Sequence, residues 1–532
     1  LGHETVGAFR SAFAALGLAC PLYLTQNDGT LMAADFAERY PVFTIASGPT
    51  NSMRGAAFLT GLSDAAVRKK LQVLYITAFF AACLVPSLGM AVTKQEASSE
   101  NRRLAEFPEL KKENEINTRW LPEAGEYFQE HFAFRNELVT ANALLNGKIF
   151  GVSTADGVIQ GTDNWLYYKD SLEDYLGEEL LSERSLFNIA HTLAMMQETL
   201  NEKGVQFLFT VAPNKNSLYG ENMPYYDSLK VSSDKNLVNL QKYLRQEQVS
   251  YGDLYETLSE EKEVLYHKRD SHWNNKGAAV AAETLLSSLK KEHVSYKEEP
   301  YTIKTDFTGD LDEMLYPLAT TPEEEVYYDR QTTFAYVGEV VSNFDPKITT
   351  VNPVKEGSLV MFRDSFGNAL LPFMADAYSS AYFSRGVPYQ MSEVDEKNAD
   401  TVIVERAERF LPEMAQSPPI MEGPECQVNV TEEDTVPAGA GAVQCEIQGN
   451  LEKITGCIEE KYLDTDSRIY IRLNHDKIYE AFPMDVSTED GKTDSSGFCL
   501  YLDCSLLAAD GNQIEILTGN KDSARIIGGL TL

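Results

Sequence analysis

The spacing of apolar and polar positions changes period several times along this 532-residue chain, and each change marks an element. Leu71 to Val92, LQVLYITAFFAACLVPSLGMAV, is the first long signal: mostly apolar, without a charge, and long enough for a helix that crosses a bilayer. Phe128, Phe132, Leu138, Ala141 and Leu145 then recur at near-helical spacing. GVIQGTDNWLYY (157–168) reads as a hairpin with its turn at 161–164. From here helices and strands alternate. A helix over about 182–203 stops at Gly204, and the continuous apolar run VQFLFTVA (205–212) follows it. A helix at 235–247, a strand at 249–255, a helix inside VLYHKRDSHWNNKGAAVAAETLLSSL (264–289), a strand at 359–362, a helix at 366–377 and a strand at 401–405 continue the series. Uninterrupted apolar strands between helices predict a mostly parallel α/β sheet covered on both faces. Residues 304–357 keep neither period and read as a loop-rich insertion near the sheet's edge.

Beyond Pro418 the period shortens to two. CQVNV, AVQCEIQG, KITGCIEE, RIYIRLN, KIYEAFPM, FCLYLDCSLL and QIEILTG alternate between Gly, Asp and Asn turns, which predicts an all-β sandwich, immunoglobulin-like or carbohydrate-binding-like. The pattern therefore divides the chain into 1–66, a membrane segment at 67–94, an α/β domain at 95–412, a Pro-rich linker at 413–424 and a sandwich at 425–532. A chain of this length exceeds a single core and fits roughly three or four units.

Charge narrows the partners. Lys and Arg number 46 against 80 Asp and Glu, a net charge of −34. Nucleic acid, which demands a basic surface, is excluded as a partner. None of the seven cysteines has CxxC spacing, so no metal site is expected, and no cofactor motif occurs. Five of them lie from Cys426 onward, where an oxidising compartment would allow one or two disulfides and leave at least one cysteine unpaired. Arg68, Lys69 and Lys70 precede the apolar segment and acidic sequence follows it. The positive-inside rule then puts the N-terminal side in the cytoplasm and the remainder outside the cell membrane. A cleavable signal and a buried core helix are the rivals; the basic flank and the missing amphipathic face favour the single-pass anchor.

The chemistry centres on His272, one of only seven histidines, which stands two residues after Asp270 and just before a helix start. An acid two residues before a histidine can fix its tautomer from the same short loop. The nucleophile candidate is Ser365 in SLVMFRDSFGNALLPF, where an apolar strand stops and a helix begins within two residues. A serine on such a turn exposes its hydroxyl, and the helix-terminal amides can hold an oxyanion. The competing role for Asp364 or Ser365 is to cap the helix. Asn214 and Asn368 are both candidates for oxyanion donation. Lys215 and Tyr219 follow the strand 205–212, at the end where open sheets bind ligands, and either line an acceptor groove or sit in a solvated turn. Arg363 orients a substrate or pairs with an acid, and Trp273 is a core or rim anchor.

Two stretches resemble known families. NDGTLMAADFAERYPVFTIASGPTNSMRGAAFLTGLSDA resembles a segment of the hydantoinase/oxoprolinase family, truncated before the phosphate-binding run that family carries. Downstream, R-D-S-H-W-N-N-K-G-A, F-R-D-S-F-G-N, V-A-P-N-K-N-S-L-Y, E-N-R-R-L-A-E-F-P, Y-F-Q-E-H-F-A-F-R and D-N-W-L-Y-Y together resemble the DHHW proteins and the SGNH-hydrolase-like domains of alginate O-acetyltransferases, over about 70–412. The resemblance implies a triad at Asp270, His272 and Ser365, with Ser271 where the family's name-giving first histidine stands. It also implies an extracytoplasmic enzyme that acetylates cell-surface polysaccharide, its acetyl group supplied by a membrane-bound O-acyltransferase. Three readings remain at this point: a serine-dependent O-acetyltransferase, an acetylesterase with the same triad, and a non-catalytic surface glycan-binding protein.

Overall fold

The computed structural model describes residues 13, 22–26, 31–39, 65–90, 105–112, 115–150, 152–297, 299–431, 439, 441, 443–488, 491–508 and 511–531. Most of the hydantoinase-like segment lies outside the described residues; within it Tyr23–Thr25 pairs antiparallel with Leu31–Ala33 ahead of a short helix. Ala65–Gly89 is a single helix, with Pro86 inside its last turn. Among the described residues, its stretch Gln72–Gly89 is the one helix long and apolar enough to cross a membrane, and none of that stretch is buried.

Among the described residues, seven strands form the central sheet, in the order 335–336, 347–351, 380–384, 358–362, 401–407, 206–212 and 251–252. The last five pair in parallel, and 347–351 runs antiparallel at one side. Side chains alternate between the two faces. Phe207, Phe209, Val360, Phe362, Val402 and Val404 pack with the helices Glu183–Glu202 and Asn236–Gln246. Leu208, Leu359, Met361 and Ile403 pack with Asn275–Ser288 and Gly367–Ala377 on the other face. Burial on both faces explains why these strands read as continuous apolar runs.

Between residues 157 and 407 the expected elements fall within a residue or two of their predicted places, with two exceptions. The strand foreseen at 249–255 is only Tyr251–Gly252, because Asp253 accepts from the Glu256 N–H at 3.0 Å and starts the helix Leu254–Glu260. The segment 304–357 is more ordered than a loop-rich insertion: it holds an antiparallel ribbon (Tyr301–Phe307 with Glu323–Tyr328), the helix Asp310–Leu315 and a sheet strand at Lys347–Val351.

Among the described residues, nine strands form the C-terminal sandwich. The long strand Lys477–Ser487 belongs to both layers: its first half pairs with Arg468–Leu473 and its second with Thr493–Asp503. Ile454, Ile471, Phe498, Leu500, Ile516 and Ile527 fill the space between the layers. Cys426, Cys445, Cys457, Cys499 and Cys504 are all free, so the disulfides allowed by the sequence are not formed.

The stretch 413–424, expected as a linker, is packed rather than loose. Leu411–Gln416 is helical, Ile420 bridges to Gln390, and Met421 joins the core beneath the helix 183–202. That helix also meets the sandwich directly. Arg184 Nη1 donates to the carbonyls of Ser467 (2.6 Å) and Thr465 (3.0 Å), and Asn188 donates to Asp485 at 3.0 Å. His191 lies between Glu247 (2.7 Å) and Glu480 (2.9 Å), with Arg468 behind both carboxylates. Phe482 of the sandwich is buried in the same cluster as the sheet's own phenylalanines.

Candidate active site

Asp364, Asn214 and Glu408 all stand just past the C-terminal ends of parallel strands, at 358–362, 206–212 and 401–407, and Ser365 stands among them. Such strand ends form the ligand-facing edge of an open α/β sheet. The turn around Ser365 is held by its neighbour. Asp364 accepts from the Phe366 N–H at 2.9 Å and the Ala407 N–H at 2.6 Å, which ties the turn to the adjacent strand. Neither Asp364 nor Ser365 is the helix N-cap, which is Phe366 without a side-chain cap; Asp364 holds the turn and leaves the Ser365 hydroxyl to His272. The Ser365 N–H donates to nothing among the described residues and stands at the start of the helix Gly367–Ala377.

Across from the turn, the loop 267–274 presents His272. Its Nε2 lies 2.8 Å from Ser365 Oγ and its Nδ1 2.8 Å from Asp270 Oδ1. The structure thus brings Asp270, His272 and Ser365 into one hydrogen-bonded line. With Nδ1–H donating to the carboxylate, Nε2 is left to accept from the hydroxyl. The His272 N–H also donates to Asp270 Oδ1 at 2.8 Å, so acid and base lock each other within one turn of chain. Burial would lower the His272 imidazole, but the charge and hydrogen bond of Asp270, with the charge of Asp310, outweigh it and leave the imidazole raised. Burial would raise the Asp270 carboxyl, yet His272 and two backbone N–H donors hold it well below the usual carboxylate range.

Asp310 is the residue that sequence reasoning missed. Its N–H donates to Asp270 Oδ2 at 2.8 Å, and its carboxylate accepts from Ser271 through N (2.8 Å) and Oγ (2.6 Å). Asp310 Oδ2 lies 3.6 Å from His272 Nδ1. Burial, and then the charge of Asp270, push its carboxyl up. Gly309 lets this segment approach: a Cβ there would sit 2.2 Å from the Arg269 carbonyl oxygen and 2.8 Å from the Asp270 nitrogen. Asp270, His272 and Asp310 bring ligand-type atoms within 4.8 Å of one another, but each of those groups is already engaged in the hydrogen bonds just described.

The other predicted residues divide between scaffold and surroundings. Lys215 lines no groove and lies in no solvated turn. It is 4% exposed, and its Nζ donates to the carbonyls of His267 and Lys268, both at 3.0 Å, and of Asp270. Burial lowers its ammonium to about 8. The loop that carries the acid and base thus hangs on a buried lysine under Trp165 and Tyr167. Tyr219 accepts the Leu265 N–H at 2.9 Å and packs on Trp165 and Tyr266, serving as a wall beneath the same loop. Arg363 is committed to the scaffold: buried, it donates to the carbonyls of Asn343 (2.9 Å) and Asp345 (3.1 Å) and to the Asn368 side chain. Asn368 borders a cleft of about 200 Å³ with Asn275, Tyr296, Tyr328 and Phe373. Asn214 is buried, with its backbone N–H on Glu408 at 2.7 Å and its side-chain amide without a partner among the described residues. Trp273 is the expected anchor, buried with its ring 4.8 Å from that of Phe366.

Residues 158–345 match the family model described as ALGX, the SGNH hydrolase-like domain of acetyltransferase AlgX. The chain carries an SGNH hydrolase-like domain. The matched segment of this SGNH-like domain includes Asp270, His272 and Asp310 and ends before Ser365. Among curated proteins, the chain is 24% identical over 285 residues to the Probable alginate O-acetylase AlgJ of Pseudomonas syringae, covering 52% of this chain and 64% of that relative's length. The same-named protein of Pseudomonas putida is 24% identical over 33% of this chain and 45% of its own. Among solved structures, a DHHW family protein from Eubacterium siraeum aligns at 18% identity over 42% of this chain and 85% of its own, with a TM-score of 0.35.

Proposed function

We propose that this protein is a serine-dependent O-acetyltransferase that moves acetyl groups onto a cell-surface polysaccharide. The observation that carries the reading is the unbroken line Ser365–His272–Asp270 at the ligand-facing edge of the sheet. The SGNH-like match and the curated relatives named as alginate O-acetylases support the reaction class.

In the first half-reaction His272 Nε2 takes the Ser365 hydroxyl proton as Oγ attacks the acetyl carbonyl carbon of the donor. The oxyanion of the tetrahedral intermediate meets the free Ser365 N–H at the helix start. Collapse breaks the bond to the leaving oxygen, which takes the proton back from His272, and acetyl stays on Ser365. In the second half-reaction His272 removes the proton of a sugar hydroxyl, whose oxygen attacks the acetyl carbonyl; the bond to Ser365 Oγ breaks and that oxygen takes the proton back from His272. Asp270 holds the imidazole in one tautomer and offsets its positive charge in both halves. Phe366, Trp273 and Tyr266 form the apolar floor beneath the base, an arrangement that favours a sugar hydroxyl over bulk water.

The same proposal places the domain outside the cell membrane, tethered by the apolar stretch within 71–92 with the basic N-terminal side in the cytoplasm. The uncharged window Gln72–Gly89, none of it buried, supports that placement. The acetyl donor would then reach the site through a membrane-bound O-acyltransferase partner.

The test is to incubate the purified protein with p-nitrophenyl acetate and identify the acetylated residue by mass spectrometry, then add an oligosaccharide panel. Acetyl should be trapped on Ser365, pass to a sugar hydroxyl, and be absent from Ser365→Ala and His272→Ala. A wild-type protein that folds but never carries acetyl on Ser365 would sink the proposal.

A further inference from the structure

Most cations around the site already have partners. Lys276 is paired with Glu263, Lys297 with Glu261 at 3.1 Å, and Arg330 with Asp376 at 3.5 Å and Glu299 at 3.6 Å. Lys215 and Arg363 are buried on carbonyls.

Arg409 differs from all of these. It stands in the single turn Glu408–Phe410 that follows the strand 401–407, on the same sheet edge as Ser365. Its guanidinium carbon lies 5.5 Å from the centre of the Phe366 ring, 5.4 Å from that of Tyr168 and 4.8 Å from that of Phe410. Phe366 is the residue next to Ser365, and its ring lies 4.8 Å from the His272 imidazole. Among the described residues Arg409 forms no ion pair and no hydrogen bond, and its Nε is buried without an acceptor. Its charge reaches the site, where it opposes protonation of His272.

A half-buried guanidinium held by three rings, with its planar fork of donors unfilled, is an unusual arrangement in a chain with 80 acidic residues against 46 basic ones. Contact with aromatic faces offsets part of its lost hydration and satisfies none of its N–H groups. The fork matches the two oxygens of a carboxylate or a phosphate.

We propose that Arg409 receives an anionic group, carboxylate or phosphate, carried by the sugar acceptor beside the hydroxyl that takes the acetyl group, and so sets acceptor specificity. The proposal rests on the acetyltransferase reading and deepens it by defining the acceptor as an anionic glycan. The rings of Phe366, Tyr168 and Phe410 pre-orient the guanidinium, so that a bound anion reads its distance from Ser365.

The experiment uses the whole chain with p-nitrophenyl acetate as a constant, neutral donor. Three oligosaccharide acceptors of matched length are compared: a uronate, a sugar phosphate and a neutral one. The measured quantity is the ratio of kcat/KM for an anionic acceptor to that for the neutral one. Any change in His272 basicity is common to all three acceptors and cancels in that ratio. Wild type should favour one of the anionic acceptors, and which one identifies the group. Arg409→Gln should lower the ratio about 10- to 100-fold, mainly through KM, while Arg409→Lys keeps part of it. An unchanged ratio in Arg409→Gln, or a wild type that prefers the neutral acceptor, overturns the proposal. Calorimetric binding of the same acceptors to Ser365→Ala, with and without Arg409→Gln, needs no turnover. Anion binding lost with the arginine supports the proposal even if acetyl transfer fails, and no detectable anion binding by Ser365→Ala overturns it.

Discussion

The backbone N–H of Asp310 donates to Asp270 Oδ2 at 2.8 Å, so the acid that orients His272 is itself oriented from a segment forty positions downstream. The Asp310 carboxylate then returns to Ser271, between acid and base. A loop with little regular structure thereby gains the rigidity that a proton relay needs.

The charge of Asp310 contributes to the raised His272 imidazole. In acyl transfer the base must be neutral, so the rate rises with pH through that raised value. Asp310→Asn removes one source of the elevation, and the acid limb of the kcat/KM–pH profile should move to lower pH. A profile measured on Ser365-dependent p-nitrophenyl acetate turnover checks the direction. An unmoved limb would show that Asp310 does not reach the imidazole.

Gly309→Ala puts a methyl group 2.2 Å from the Arg269 carbonyl oxygen, against backbone that cannot rotate away. The loop 267–274 should shift by a fraction of an ångström to an ångström. A displacement of that size costs about 10²-fold in kcat. Far-ultraviolet circular dichroism should be unchanged, which would separate a misplaced site from a lost fold.

Lys215→Met keeps the apolar stem and removes the ammonium on which the carbonyls of His267, Lys268 and Asp270 converge. Leaving those acceptors buried and unpaired should cost roughly 3 kcal/mol or more in urea unfolding. Turnover at saturating donor should fall as well, because the same carbonyls hold the acid and base in place.

His191, buried beside Glu247 and Glu480, should make stability depend on pH. Burial alone would lower its imidazole, but hydrogen bonds to the two glutamates raise it above the ordinary 6.5, against an opposing charge from Arg468. A histidine raised in the folded state contributes fully below its unfolded value and loses that contribution as pH rises through the folded one. The gap in Tm between wild type and His191→Gln should therefore be widest below pH 6.5 and narrow above it. A gap independent of pH would rule out a charged His191.

Asp270 and His272 were legible because they occupy one short loop, and Ser365 because a strand visibly gives way to a helix. Asp310 had no such signature. The acids in DLDEML look like any helix start, and only the approach permitted by Gly309 sets one of them on the triad. Lys215 was misread for a different reason. A lysine after a strand normally reaches solvent, and nothing local announces that the carbonyls of His267, Lys268 and Asp270, 52 to 55 positions downstream, will fold over it. The short strand at 251–252 was recoverable, since Asp253 three residues before Glu256 is a helix-start signal inside the apparent strand.

The seam between the sheet domain and the sandwich has its own consequence. Phe482, Arg184, Asn188 and His191 knit the two halves with both a shared core and buried polar bonds. Melting either half strips the other of apolar cover and leaves paired charges stranded, so the two should denature in a single cooperative transition. A chain ended after Gln416 should then yield aggregating protein rather than a trimmed sheet domain, and the sandwich is better regarded as part of one folding unit with the sheet than as a separable appendage.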